Sequence, residues 1–482
     1  MGLIIKEMKA IDSSFVSSDG NGLPYILNGK PLEGEIRIWK ENILDEPYNF
    51  GLPDQNDIKK AIETSLNSDS LKSTNIYNRI EELIEISSKI EKYEENISRL
   101  ISLETGKSIE LSREEIQAAE KIMENSWAFL SNTETLTRDG PISFVSDSSN
   151  TITQVKLEKG LSIVFPAYTS PFFTTISSIT RSLISGTPVI VKPSSYSLAS
   201  SLSAISMFSD SSLFESISFL PTRGMSYINL FDNEEFVYYF YGKKINYKNL
   251  MKNLSGRFIA NCSGRVVVVL CNLPENVDLL SNIIARLSLK HSGQACGSVS
   301  WLISLEHLKD NIIESIADRF SQSLVGNPLE GKEVGPLKNK EIADRSTKLI
   351  NDAIYKGGSL LTGGLTNGRY IEPTLIDNIA KNSEILWNDV EAPVLTSTSV
   401  STCTEAISIV KMMSGTNITI IFGNDNIMNK LAKSKKGVVI KGSDKIETIL
   451  NSICYSNGDP INGIVKSPFP GELAFDKSLI IY

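Results

Sequence analysis

Five consecutive residues, Ser292-Gly293-Gln294-Ala295-Cys296, set a thiol behind a Gly-Gln turn that follows a long apolar helical pattern. A thiolate is highly nucleophilic, and its adduct with an aldehyde can give up a hydride and become a thioester. Cys296 is therefore the strongest candidate nucleophile in the chain. The competing reading is that it is one of five ordinary cysteines, since cysteine often behaves as a small buried hydrophobe. His291 precedes it closely, but a spacing that runs from helix into loop fixes no contact, so a Cys-His protease pairing is disfavoured.

The elements around Cys296 read as alternating strand and helix. Val266-Val267-Val268-Val269-Leu270 is a fully apolar strand, Val277 to Leu289 a helix, and Ser298 to Ser304 a further strand. A similar alternation comes earlier, with a strand at Leu161 to Phe165, a helix at Phe172 to Leu183 and a strand at Val189-Ile190-Val191. Strand, helix and strand in that order make a βαβ unit of a parallel sheet, with ligands expected at the strand ends. Lys192 is thus well placed for chemistry. Helices are predicted from Asp57 to Asn132, a hairpin arm at Ile152 to Glu158, and later strands at Ser359 to Leu361, Val394 to Val400 and Ile418 to Phe422, with a helix over Thr404 to Met413.

Length and composition bound the reading. A chain of 482 residues has room for two or three domains, and 41% hydrophobic with 22% charged residues is the balance of a globular protein. A net charge of −8 argues against a nucleic-acid surface. The five cysteines show neither disulfide framework nor metal spacing, so reduced thiols, no metal and a cytoplasmic setting are expected. No segment has the apolar length of a membrane span, and no membrane partner is expected.

Taken in order, several short motifs then resemble the aldehyde dehydrogenase superfamily from about Tyr25 to Tyr482. They are Gly186 to Lys192-Pro193-Ser194, Ser263-Gly264-Arg265, Gly293-Gln294-Ala295-Cys296, Gly326-Asn327-Pro328, Gly335-Pro336-Leu337, Gly363-Gly364, Glu372-Pro373-Thr374 and Ala392-Pro393-Val394. The resemblance implies an α/β fold with a Rossmann-like cofactor domain, an α/β catalytic domain and a β oligomerisation arm. Here these would span residues 1–125 and 146–255, 256–448, and 126–145 with 449–482. Ala392-Pro393-Val394 is weakly similar to archaeal non-phosphorylating glyceraldehyde-3-phosphate dehydrogenases.

The resemblance also assigns roles. Cys296 matches the family nucleophile, its amide an oxyanion donor, and Lys192 the lysine that binds the adenosine ribose. Ser194 is the usual small residue, and Ser195 stands where members preferring NAD tend to have Glu, so NADP is favoured over NAD. Four departures bear on activity. Thr169 replaces the Asn that completes the oxyanion hole; Asn261 replaces the Glu general base; Gly242-Lys243 replaces a Gly-Ser at the helix by the pyrophosphate; and Asp389-Val390-Glu391 replaces Glu, any residue and Phe beside the nicotinamide. An amide takes no proton from water at neutral pH, so hydrolysis of a Cys296 thioester is impaired. Members that acylate coenzyme A also have Asn at this position. The readings left open are an aldehyde-oxidising enzyme acting on glyceraldehyde-3-phosphate or a related small aldehyde, a coenzyme A-acylating enzyme, and a catalytically degenerate binding or partner subunit. In each case a homodimer or homotetramer is expected.

Overall fold

The computed structural model describes residues 2–68, 71, 74–129, 160–413, 415–432, 438–454 and 479–481. The predicted hairpin arm at Ile152 to Glu158, nearly all of 126–145 and most of 449–482 lie outside them. Among the described residues the chain divides into two compact units, the first built from residues 2–105 and 112–261, the second from 106–111 and from 262 onward.

In the first unit the strands are β1 (Gly22–Leu23), β2 (Tyr25–Leu27), β3 (Lys30–Leu32), β4 (Ile36–Glu41), β5 (Pro47–Leu52), β6 (Ser162–Phe165), β7 (Val189–Val191), β8 (Ile217–Phe219), β9 (Val237–Lys243) and β10 (Arg257–Ser263). Seven form one sheet in the order β10-β9-β6-β7-β8-β2-β3. Strand β6 runs parallel to both neighbours, with Val164 opposite Val191 and Phe165 opposite Phe240. The chain builds outward from β6 through β7 to β8, then returns to lay β9 on the other side of β6. That reversal is a topological switch point, and ligands of open α/β sheets bind at the carboxyl ends of strands there. The helical stretch expected after Asp57 resolves into helices Gln55–Asn67, Ile76–Lys92, Glu94–Thr105 and Ile109–Glu124. The first opens with a reciprocal capping box between Asp54 and Asp57.

In the second unit β11 (Arg265–Leu270), β12 (Val299–Leu305), β13 (Ser359–Thr362), β16 (Thr374–Asp377), β17 (Val394–Val400), β18 (Thr416–Phe422), β19 (Val438–Lys441) and β20 (Leu479–Ile481) form one sheet, while β14 (Thr366–Asn367) and β15 (Tyr370–Ile371) make a small hairpin. Strand β11 is central, parallel to β12 and β18. Its pleat explains its wholly apolar sequence: Val267 and Val269 enter one core with Trp301 and Ile303, whereas Val266, Val268 and Leu270 enter another with Val299 and Leu302. Burying both faces stabilises by about 1.5–3 kcal/mol for each side chain.

One sequence expectation needs correcting. Cys271, just past β11, is disulfide-bonded to Cys403, the first residue of helix Cys403–Met412, with Cα atoms 5.7 Å apart. The pair is 132 residues apart in sequence, so only the packing of that helix onto the sheet brings it together. Among the described residues no helix is long and apolar enough to cross a membrane.

Candidate active site

The helix Val277–Leu289 ends abruptly before Cys296. His291, Ser292 and Gly293 follow with φ of 49°, 53° and 74°, three successive left-handed residues. For a residue with a side chain that conformation costs of order 1–3 kcal/mol, so the surroundings must impose it. Ser292 N–H donates to the Leu289 carbonyl at 2.8 Å and Gln294 N–H to that of His291 at 3.0 Å. Ser292 Oγ donates to the Gly335 carbonyl at 2.8 Å, and Gln294 Oε1 accepts from Lys338 N–H at 2.8 Å. Gly293 must be glycine, because a Cβ there would lie 1.9 Å from the Ala392 carbonyl oxygen. The Gly335-Pro336-Leu337 and Ala392-Pro393-Val394 motifs are therefore walls of the Cys296 turn. Cys296 itself is half-buried and outside the disulfide, whereas the His291 ring is buried.

Asp389 and Glu391 are held by two arginines of the same unit. Asp389 Oδ1 lies 3.6 Å from Arg265 Nε, the Asp389 carbonyl accepts from Arg345 Nη2 at 2.9 Å, and Glu391 Oε1 lies 3.9 Å from Arg345 Nη1. Arg265 is 3% exposed and also donates through Nη1 to the Leu386 carbonyl at 2.7 Å. Burial lowers its pKa, Asp389 opposes that shift, and Arg345 adds to it. The nearby Gly264 leaves room for Asn417, whose amide donates to the Cys262 carbonyl at 2.7 Å.

In the first unit, the carboxyl edge of the sheet collects the other predicted residues. Thr169 is half-buried in the loop after β6, Lys192 follows β7, Gly242-Lys243 ends β9, and half-buried Asn261 lies in β10. The Thr169 loop is braced from both sides. Ala167 N–H donates to Thr174 Oγ1 at 3.0 Å, and Tyr168 Oη donates to the Thr105 carbonyl at 2.8 Å. The buried Glu115 carboxylate accepts from Phe172 and Phe173 N–H at 2.8 and 3.1 Å, capping the helix Pro171–Ile184. Lys243 stands at the N-cap of the helix Lys244–Leu250 and makes no side-chain capping hydrogen bond.

Lys192 is 8% exposed, and burial pushes its pKa down to about 8. No hydrogen bond or ion pair of its ammonium occurs among the described residues. A buried ammonium left uncompensated suits a ligand rich in hydroxyl or phosphate oxygens, which is what a dinucleotide ribose offers. Ser194 and Ser195 are half-buried beside it, and Ser194 Oγ accepts from Tyr196 N–H at 3.3 Å. Glu104 was not anticipated from the sequence. Its carboxylate accepts from Tyr48 Oη and from Ala199 and Ser200 N–H, at 2.6, 2.8 and 2.7 Å, fixing the helix that follows the Lys192 turn. Only its place in Glu104-Thr105-Gly106-Lys107, a carboxylate at a helix end just before a glycine, signalled it. One cleft, of about 710 Å³ and lined mainly by charged residues including Lys340, Asp344, Arg345 and Glu384, includes none of the predicted site residues.

The aldehyde dehydrogenase family model matches residues 47–441. The chain belongs to the aldehyde dehydrogenase family. Within this family it is similar to 3-sulfolactaldehyde dehydrogenase of Priestia aryabhattai, 21% identical over 361 residues, covering 73% of this chain and 75% of that one. It is also similar to the NADP-dependent glyceraldehyde-3-phosphate dehydrogenase of Streptococcus equinus, 26% identical over 279 residues, covering 55% of this chain and 57% of that one. Its fold matches the NADP complex of NADP-dependent glyceraldehyde-3-phosphate dehydrogenase from Bacillus halodurans C-125, with a TM-score of 0.77 at 18% identity over 86% of this chain and 89% of that one. Aldehyde dehydrogenase 21 of Physcomitrella patens, bound to succinate, matches with a TM-score of 0.76 at 18% identity over 88% and 90%. An aldehyde dehydrogenase fold is thus reached from a sequence that keeps about one residue in five.

Proposed function

We propose that the protein oxidises a small aldehyde with a nicotinamide dinucleotide through a thioester on Cys296. The observation that carries this reading is the braced left-handed turn leading to a half-buried Cys296, because strain of this kind clusters at reactive groups. The thiolate sulfur bonds to the aldehyde carbon, and the carbonyl electron pair moves onto oxygen. The Cys296 amide and the Thr169 hydroxyl are assigned as donors to that oxyanion; one such donor contributes about 10²–10³ in rate. When bound, the cofactor supplies a ring that accepts the hydride leaving the former carbonyl carbon, so that the thiohemiacetal becomes a thioester.

Lys192, Ser194, Ser195, Gly242, Lys243 and Asp389 are assigned to the dinucleotide. NADP is favoured, because Ser195 sets no carboxylate against a 2′-phosphate. Glyceraldehyde-3-phosphate or a related small aldehyde is the substrate class, since the Priestia and Streptococcus relatives are named for small aldehydes that carry an acidic group. Asn261 supplies no base, so the thioester waits for uncatalysed water or for a thiol such as coenzyme A. A homodimer or homotetramer belongs to the same reading, and sedimentation tests it.

A second reading, a subunit of this family that binds nucleotide without turnover, is favoured by the Arg265–Asp389 contact, which engages a carboxylate assigned to the cofactor. The experiment is reduced-cofactor formation across small aldehydes, with NADP and NAD, with and without coenzyme A. Turnover that disappears in Cys296→Ser supports oxidation. Tight dinucleotide binding with silence across the panel overturns oxidation and favours the second reading.

A further inference from the structure

We propose that Lys40 is a specificity-determining residue that recognises the 2′-phosphate of NADP, working beside Lys192 across the exposed ring of Tyr196. This deepens the dinucleotide-binding reading and rests on it.

Tyr196 lies in the turn after Lys192, closed by Ser197 N–H to the Ser194 carbonyl at 3.1 Å and by Tyr196 N–H to Ser194 Oγ. Tyr196 as a whole is 40% exposed. The ring meets Tyr168 edge-on at 6.1 Å, and the Lys40 ammonium sits over it 5.8 Å from the centroid. Tyr168 is itself anchored through its hydroxyl to the Thr105 carbonyl. Tyr196 is therefore a fixed platform that keeps Lys40, on β4, close to the Lys192 turn.

Lys40 is half-buried, and burial lowers its pKa against an opposing pull from Glu104. The Glu104 carboxylate is already engaged by Tyr48 Oη, the Ala199 and Ser200 N–H groups and Ser200 Oγ. Among the described residues the Lys40 ammonium makes no hydrogen bond or ion pair, and neither does that of Lys192. The Lys40 ammonium thus sits over the Tyr196 ring in the turn that the buried Lys192 opens, and Ser194 and Ser195 lie between Lys192 and Tyr196 in that turn.

A ribose diol is neutral and calls for one such donor. A ribose phosphate is a dianion, and it is the ligand chemistry that two cations and two hydroxyls match. The four-carbon stem of Lys40 lets its ammonium leave the ring face for a phosphate oxygen without moving β4. The cation–π contact it would give up is weak at an exposed ring, so the exchange favours the phosphate.

The test is calorimetric titration of the full chain with 2′,5′-ADP and with 5′-AMP, for the wild type, Lys40→Met, Lys40→Gln and Lys40→Arg, with thermal melting of each variant confirming that it folds. The wild type is expected to bind 2′,5′-ADP more tightly than 5′-AMP. Lys40→Met and Lys40→Gln should lose about five- to twentyfold in affinity for 2′,5′-ADP, leave 5′-AMP unchanged and flatten the salt dependence of 2′,5′-ADP binding, while Lys40→Arg retains most of it. Equal weakening of both nucleotides, or none for either, would overturn the role of Lys40 while leaving dinucleotide binding standing. Failure of the wild type to bind either nucleotide would overturn the dinucleotide reading together with it.

Discussion

The Asp389 carboxylate lies 3.6 Å from the Nε of Arg265, so the acid that the proposed reading assigns to the cofactor is tied to a buried arginine at the start of β11. Asp389 is exposed on its outer side, which limits the strength of the pair, but Arg265 is not. Removing the carboxylate leaves a buried guanidinium with less compensation. Asp389→Ala should therefore lower unfolding stability by about 1–2 kcal/mol in chemical denaturation. A midpoint unchanged by this substitution would mean that the contact does not hold the segment.

Gly293 has no room for a side chain. Its φ of 74° and the Ala392 carbonyl 1.9 Å from an added Cβ both oppose substitution. Gly293→Ala is expected to cost at least about 2 kcal/mol and to shift the Cys296 turn, seen as slower alkylation or a changed thiol titration curve. Normal stability together with unchanged thiol reactivity would contradict the packing described for this turn.

The burial of Lys192 makes two pH predictions of opposite consequence. Its folded pKa, about 8, lies below the ordinary 10.5, so between these values the unfolded chain binds more protons. Stability contributed by this group must then rise as pH climbs from about 8 to 10.5, and its burial is most costly below pH 8. Affinity for a 2′-phosphorylated nucleotide must fall over the same rise, because the neutral amine attracts no anion. Lys192→Met should flatten both trends. Persistence of either trend in that variant assigns it to another group.

The Cys271–Cys403 bond closes a loop of 132 residues that contains Cys296. Non-reducing peptide mapping should recover the two cysteines in one linked fragment. Reduction should lower the melting temperature, by an amount corresponding to at most roughly 4–5 kcal/mol in the chain-entropy account. Recovery of both peptides alkylated and separate, without any reductant, would contradict the bond.

How much of this was legible in the sequence depended on whether the signal was local. Strand β11 was readable because burial on both faces demands an unbroken apolar run, and the βαβ unit before Lys192 because glycine and proline punctuate it. Strand β9 was missed: Val237 to Tyr241 is buried throughout like β11, but three of these five residues are tyrosines, whose hydroxyls hide the apolar run. The glycine and proline motifs could be recognised as a pattern, but their purpose, walling the Cys296 turn, appears only when Gly335 and Ala392 are seen against Ser292 and Gly293. The partners of Asp389 and Cys271 were hidden for the same reason, since sheet order rather than spacing brings Arg265 and Cys403 to them. Thr169 and Asn261 were readable only as departures, and the structure adds their half-buried positions at the carboxyl edge of the first sheet.

The central claim is that Cys296 takes up an acyl group in the course of aldehyde oxidation, and mass spectrometry of the protein after incubation with a small aldehyde and NADP tests it directly. The expected result is an acyl mass added to the Cys296 peptide, long-lived because Asn261 activates no water, discharged by coenzyme A or another thiol, and absent in Cys296→Ser. An unmodified Cys296 peptide, with no reduced cofactor formed although NADP is bound, would contradict it.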